Sequence, residues 1–190
     1  MTERPAISAV VPLTAERWND LEELFGPERG ANSGCWCMWH RLSRRQWDEL
    51  GRTGRKEAFR DVVAGGPPPG LLGYADARAV AWVAVAPRLA YPRLARLPSA
   101  TSERPAEWAI TWFYVATKWR RRGLMRVLIE AAVRHAAERG ARSVEAYPKQ
   151  PHASNAWGEL FVGVVTEFLA CGFREVARPS VSRVVVRCDL

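Results

Sequence analysis

The chain has 190 residues, of which 48% are hydrophobic and 25% charged, with a formal net charge of +8. This composition is typical of a globular protein with one core, so we predict a single domain over residues 1–190 and exclude a disordered or fibrous chain. No apolar stretch approaches the roughly 20 residues of a membrane span, and the N-terminus has no signal-peptide pattern. We therefore expect no membrane partner, and a cytoplasmic location.

The first half of the chain predicts one strand, three helices and a break. Ala6 to Val11 is β-branched and apolar, and Thr14 can cap a helix that runs to about Phe25. Two short helices are expected to begin after Ser43 and after Thr53. The Gly-Pro run from 65 to 70 interrupts regular structure.

The middle of the chain predicts a hairpin, a buried strand and a long helix. Leu71–Ala75 and Val80–Val85 form the hairpin, and Trp108–Val115 is apolar enough to be buried on both faces. Leu124–Glu138 has helical spacing of its apolar residues and is followed by Gly140, a good C-terminal stop. Val127 is expected on the apolar face.

The C-terminal part predicts a strand over Ser143–Tyr147, a helix from Trp157 or Gly158 to Cys171, and two closing strands at 173–176 and 184–188. With the two short helices after Ser43 and Thr53 counted as one, the complete order is β-α-α-β-β-β-α-β-α-β-β. This order indicates a mixed α/β (α+β) protein.

The most informative segment is the basic turn between the buried strand and the long helix. Arg120, Arg121 and Arg122 precede Gly123, which opens the helix. A helix N-terminus presents unpaired N–H groups and a positive dipole end, and glycine allows close approach of a phosphate. The turn therefore favours an anion site. The alternative is a solvated basic turn that leads into a helix, which has the same sequence pattern.

This segment resembles the acyl-CoA signature of the GNAT superfamily, Arg/Gln-x-x-Gly-x-Gly/Ala. Arg120 and Gly123 match it, while Met125 replaces the small residue. Phe168 to Phe173 is similar to the aromatic-x-x-x-Gly-Phe ending of the family's last helix. A narrower likeness, through Gly34–Trp39 and Pro68–Leu72, is to actinobacterial GNAT proteins of unassigned substrate.

The resemblance implies a central, mostly antiparallel sheet of six to seven strands, flanked by helices and splayed at its two central strands. It also implies acetyl-CoA or another acyl-CoA as co-substrate, a small-molecule amine as acceptor, and no metal. The implied cofactor-binding residues are Phe113, Tyr114, Val115, Arg120, Arg121, Arg122, Gly123, Leu124, Met125 and Phe168.

Proton transfer in the predicted chemistry has several candidate residues. Many family members place a tyrosine on the last helix as the acid for the leaving thiolate, and Phe168 stands at that position here. The candidate catalytic residues are Glu145, Tyr147 and Thr111, of which Thr111 shares the face of Val115 by period-two counting.

Two other sets of residues have competing interpretations. Cys35, Cys37 and His40 supply three potential zinc ligands where four are needed, so a packed wall of sulfur and aromatic groups is preferred. His135 is expected to be a packed or surface histidine of the long helix, and His152 is a candidate on the acceptor side.

Three functions fit these observations. The first is an N-acyltransferase that acts on a primary amine. The second is a catalytically degenerate acyl-CoA-binding sensor, which the Phe168 substitution favours. The third is nucleic-acid binding, suggested by the positive charge but disfavoured because that charge is dispersed. Whether the protein forms a homodimer stays open.

Overall fold

A computed structural model describes residues 7–26, 29–96, 107–150 and 161–190. Its centre is a seven-stranded sheet in the order β1-β2-β3-β4-β5-β7-β6. The strands are β1 (Ala9–Pro12), β2 (Gly70–Ala75), β3 (Arg78–Pro87), β4 (Trp108–Val115), β5 (Ser143–Ala146), β6 (Arg174–Ser180) and β7 (Arg183–Asp189). Within this sheet β4 and β5 pair in parallel and the other neighbours are antiparallel. The predicted mixed, mostly antiparallel sheet is confirmed.

The helices within the described ranges are α1 (Trp18–Phe25), α2 (Arg44–Gly65), α3 (Leu124–Ala137) and α4 (Val165–Ala170). None of these four is long and apolar enough to cross a membrane. The two helices predicted after Ser43 and Thr53 run together as α2, with a kink at Gly51, where φ is 59°. The predicted start of the last helix lies outside the described residues, and inside them α4 begins only at Val165.

Helices cover the sheet on both faces. α3 buries Leu128 and Ile129 against one face, while α1 and α2 bury Leu21 and Phe59 against the other. The prediction for Val127 is wrong: this side chain is 39% exposed, because the buried stripe of α3 passes through Leu128 and Ile129 instead.

A bulge in β4 reverses its side-chain alternation. Ala84 of β3 pairs with Trp112 while its neighbour Val85 pairs with Ile110, so Thr111 is an extra residue on β4. As a result Ile110 and Phe113, three residues apart, both pack on the α3 side of the sheet. The period-two count that put Thr111 on the face of Val115 is therefore wrong.

The sheet opens between β4 and β5 immediately beyond this bulge. Pairing of the two strands is limited to three positions, ending at Ile110 opposite Ala146. β4 continues to Val115, whereas β5 ends before Tyr147 and Pro148, and proline cannot donate to a strand ladder. The expected splay between the two central strands is thus present, and its edges are the second half of β4 and the chain after Ala146.

Candidate active site

One cavity lies where β4 ends and α3 begins; we call it the turn cavity. It encloses about 300 Å³. Its lining residues come from β4, from the basic turn, from the start of α3 and from the segment around α4: Phe113, Val115, Trp119, Arg120, Arg121, Gly123, Leu124, Met125, Phe161, Val164 and Glu167. Seven of the ten predicted cofactor-binding residues therefore lie together in one cavity, together with the acidic side chain of Glu167, which forms an ion pair with Arg126 at 3.3 Å.

Gly123 shapes the turn cavity because it is the N-cap of α3 in the left-handed conformation, with φ at 77°. A Cβ added there would meet nothing within 4 Å, so the space in front of the helix end is open. The first amides of a helix have no acceptor within it, so they are available to a ligand at the helix end. Arg120 is held in place by a 3.0 Å hydrogen bond from its Nε to the carbonyl oxygen of Val115. Open space, helix amides and arginines together suit a diphosphate.

Three predicted cofactor residues do not line this cavity. Tyr114 points to the α1 side of the sheet, with its ring 5.5 Å from that of Phe25. The guanidinium of Arg122 lies 5.0 Å from the ring centre of Trp119. Phe168 is 0% exposed and packs in the core, so the position where the family's tyrosine is expected presents no group to either cavity.

A second, larger cavity of about 640 Å³ lies on the α2 side of the splay; we call it the aromatic cavity. Its apolar walls are two ring pairs. Trp39 and Trp47 meet edge to face at 5.0 Å, and Trp112 stacks on Phe161 at 5.2 Å. Phe161 lines both cavities, so the two spaces adjoin at its ring.

Tyr147 is the predicted catalytic residue that reaches the aromatic cavity with a hydroxyl group backed by a carboxylate. It follows β5, lines the cavity, and donates a 2.8 Å hydrogen bond to Oε2 of Glu145. Glu145 itself is 1% exposed and does not line the cavity. Arg88 lies 3.5 Å from the same carboxylate oxygen and donates to the Tyr147 hydroxyl at 3.3 Å. Burial, followed by the negative charge of Glu145, raises the pKa of Tyr147.

Thr111 also lines the aromatic cavity, because the bulge turns it toward Trp112 rather than toward the turn cavity. Glu107, at the other end of β4, binds Arg142 at 2.6 Å. That hydrogen-bonded arginine lowers the pKa of Glu107.

The cysteine-histidine segment forms part of the cavity wall. Cys37 is buried and its sulfur accepts a 3.0 Å hydrogen bond from the indole of Trp82. No group of three metal-binding side chains occurs within the described ranges. Burial, with the charges of Arg183 and Arg93, lowers the pKa of His40 to about 4.

Of the remaining two histidines, His135 lies within the described residues and lines neither cavity. His135 is a buried residue of α3, with Nδ1 3.0 Å from a guanidinium nitrogen of Arg139 and its ring against Trp108. His152 lies outside the described residues.

Sequence reasoning missed Phe161 and the basic side chains Arg93 and Arg183. No spacing rule connects these residues to the basic turn, because each comes from a different part of the chain. For Trp112 the indication from the sequence was only indirect: a strand that is apolar throughout is expected to be covered on both faces.

Comparison with known proteins was consistent with this geometry. The model of the acetyltransferase (GNAT) family matches residues 36–158, well over half of the chain and including the basic turn. A search of curated protein sequences gives no significant match.

Solved structures with the same fold have low sequence identity to this chain. A GNAT-family acetyltransferase from Streptococcus agalactiae has a TM-score of 0.57 at 10% identity, covering 98% of each chain. A polyamine N-acetyltransferase from Drosophila melanogaster has a TM-score of 0.55 at 11% identity, covering 96% of this chain and 99% of its own. The PaiA N-acetyltransferase from Thermoplasma acidophilum, solved with coenzyme A, has a TM-score of 0.54 at 13% identity, covering 96% and 98%.

These likenesses establish the fold, and the family model adds the sequence match across the splayed strands and the basic turn. The chain belongs to the GNAT acetyltransferase family.

Proposed function

We propose that this protein transfers an acetyl or other short acyl group from acyl-CoA to the primary amine of a small molecule, by direct attack in a ternary complex. The observation that carries this proposal is the meeting of two cavities at Phe161, in the opening between β4 and β5. One cavity suits the cofactor, and the other can hold an acceptor beside the thioester.

The turn cavity fits the cofactor through complementary chemistry. The start of α3 and the guanidinium of Arg121 would hold the diphosphate, and the open space at Gly123 admits it. The exposed edge of β4 up to Val115 offers backbone groups to the pantetheine amides. The thioester would then lie near Phe161, facing the aromatic cavity.

Tyr147 and Glu145 would do the proton work in this scheme. An ammonium group in the aromatic cavity gives a proton to the Tyr147 oxygen while the tyrosine passes its own proton to Glu145, 2.8 Å away. The neutral amine attacks the carbonyl carbon, and a tetrahedral intermediate forms. The carbon–sulfur bond then breaks, and the second amine proton goes to the departing thiolate. Thr111 would position the amine from the bulge.

Calorimetric titration with acetyl-CoA tests the cofactor site. Gly123→Trp fills the open space in front of α3, so we expect saturable binding to the wild type and loss of binding in the variant. Gly140→Trp is the matched control, because Gly140 has φ at 78°, lies beyond the other end of α3, and also has nothing within 4 Å of an added Cβ. Equal binding to both variants, or none to the folded wild type, would refute the proposed cofactor site.

The degenerate sensor is the second candidate, and the burial of Phe168 favours it because no hydroxyl replaces the usual acid there. Thiol release from acetyl-CoA separates the two functions. An acyltransferase releases thiol with at least one amine of a broad panel. A sensor binds acetyl-CoA in the calorimeter and releases none.

A further inference from the structure

We propose that the acceptor amine carries a negatively charged group, a carboxylate or a phosphate, on an apolar or aromatic body. This inference rests on the proposed function and names its substrate class. It follows from the positive charge of the residues that line the aromatic cavity, which would repel a polycationic acceptor.

The described residues that line the aromatic cavity include four cations and no acid: Arg44, Arg93, Lys149 and Arg183. Arg44 forms an ion pair with Asp48 at 2.8 Å. Glu145, a buried carboxylate, accepts a hydrogen bond from Tyr147 and lies 3.5 Å from Arg88. The described part of the lining therefore carries an excess of positive charge, to which Arg93, Lys149 and Arg183 contribute.

These three cations come together through the fold. Lys149 forms isolated strand bridges with Val164 and with Arg183, which joins the start of β7 to the chain after β5. The guanidinium of Arg93 lies 4.0 Å from the ring centre of Trp39, and its Nε donates to the carbonyl oxygen of Leu42 at 2.6 Å. Both attachments fix the guanidinium at the wall, and a fixed planar fork suits a carboxylate or a phosphate.

His40 lies within the field of the same arginines. Its ring lines the cavity, and its Nδ1 is buried with no hydrogen-bond partner among the described residues. After burial, the charges of Arg183 and Arg93 are what lower its pKa to about 4. The ring is thus neutral at pH 7 and lines the same cavity as both arginines, whose charges would stabilise an anion.

The walls select the body of the acceptor. Four aromatic rings line the same cavity as Arg93 and Arg183: Trp39, Trp47, Trp112 and Phe161. The thioester would lie near Phe161. A molecule with its anion at Arg93 and Arg183 and its amine at Tyr147 would place a flat apolar body among these rings.

Binding to the CoA-saturated protein tests the inference without requiring turnover. Saturation with CoA occupies the arginines of the turn cavity, so that calorimetry reports the aromatic cavity. We expect indole-3-acetate to bind at least about tenfold more tightly than tryptamine, which has the same ring but the opposite charge. Phosphoethanolamine against ethanolamine asks the same question for a phosphate.

Arg183→Gln should weaken the binding of indole-3-acetate about tenfold and leave tryptamine unchanged. Arg174→Gln is the matched control: Arg174 lies on the adjacent strand β6, binds Asp189 at 2.8 Å, and is outside the cavity. The inference is overturned if tryptamine binds as tightly as indole-3-acetate, if neither anionic probe saturates, or if both arginine variants behave alike.

Thiol release with L-tryptophan against tryptamine then separates the inference from the function on which it rests. Turnover of tryptamine but not of the amino acid would overturn the inference and keep the acyltransferase. Selective binding of indole-3-acetate without thiol release from any amine would contradict the acyltransferase and leave the anion site standing.

Discussion

The turn cavity and the aromatic cavity adjoin at Phe161, yet they are built in different ways. Most of the turn cavity comes from one stretch of chain, 113 to 125, and the groups proposed to bind the diphosphate include backbone amides at a helix end. The aromatic cavity is built from side chains of α2, β4, β7 and three connecting segments. A cofactor that all family members share can be held by a local backbone motif, whereas a particular acceptor is selected by side chains brought together from distant positions.

The largest effect should come from deleting one oxygen in the aromatic cavity. Tyr147→Phe removes the group between the cavity and Glu145, so we expect kcat to fall about 100-fold. The KM for acetyl-CoA should stay unchanged, because Tyr147 does not line the turn cavity. Steady-state kinetics of thiol release at saturating acceptor measures both constants.

Tyr74→Phe controls for loss of a tyrosine hydroxyl, since Tyr74 also donates to a carboxylate, Asp20 at 2.5 Å, but lines neither cavity. Glu145→Gln should reproduce the Tyr147→Phe loss. A wild-type kcat in the Tyr147→Phe variant would contradict the proposed proton transfer through Tyr147 to Glu145.

In the turn cavity we expect a smaller effect, on the KM for acetyl-CoA instead of on kcat. Arg121→Glu places a negative charge beside the proposed diphosphate site, so the KM for acetyl-CoA should rise about tenfold while kcat changes little. Arg134→Glu, on the exposed side of α3, makes the same change in net charge away from both cavities. If both substitutions raise KM equally, the effect belongs to the overall charge and the comparison between the cavities weakens.

A separate effect concerns stability and distinguishes the cavity histidine from the core histidine. Burial lowers the pKa of both His40 and His135 to about 4. The unfolded chain, with histidine pKa near 6.5, therefore binds more protons between pH 6.5 and 4, and stability falls as pH falls through that window. For His40 the loss by pH 5 is up to roughly 2 kcal/mol.

Urea unfolding at pH 7.5 and pH 5 measures this loss in the wild type, His40→Gln and His135→Gln. Each variant should lose less stability than the wild type over the same interval. Saturation with an anionic ligand should shrink the His40 contribution alone, because only His40 lies beside Arg93 and Arg183. Identical pH dependence in all three proteins would contradict these lowered pKa values.

Local patterns determined most of the fold. The alternation and length of the apolar segments predicted the order of elements, and the strand Trp108–Val115 was predicted with its observed bounds. These signals are local, since a strand or helix buries a face that its own residues define. The same reason made the turn at Arg120 to Gly123 a candidate anion site in the sequence, because its amides and its charges lie within one short segment.

Longer-range geometry decided what the patterns could not show. One extra residue at Thr111 moved that side chain from the expected face to the aromatic cavity, and only pairing with β3 reveals the bulge. The sequence predicts Glu145 as a catalytic carboxylate, but in the folded protein it is 1% exposed and is hydrogen-bonded to Tyr147.

The sequence by itself determined the sheet, the long helix and the basic turn, because the physics of each acts over a few neighbouring residues. Only the tertiary structure decided which charges meet in the aromatic cavity. Arg93 and Arg183 are 90 positions apart in the chain, and both act on His40 only because the connection after β3 and the start of β7 reach the same cavity. Electrostatic interactions depend on distance in space, which no spacing along the chain encodes.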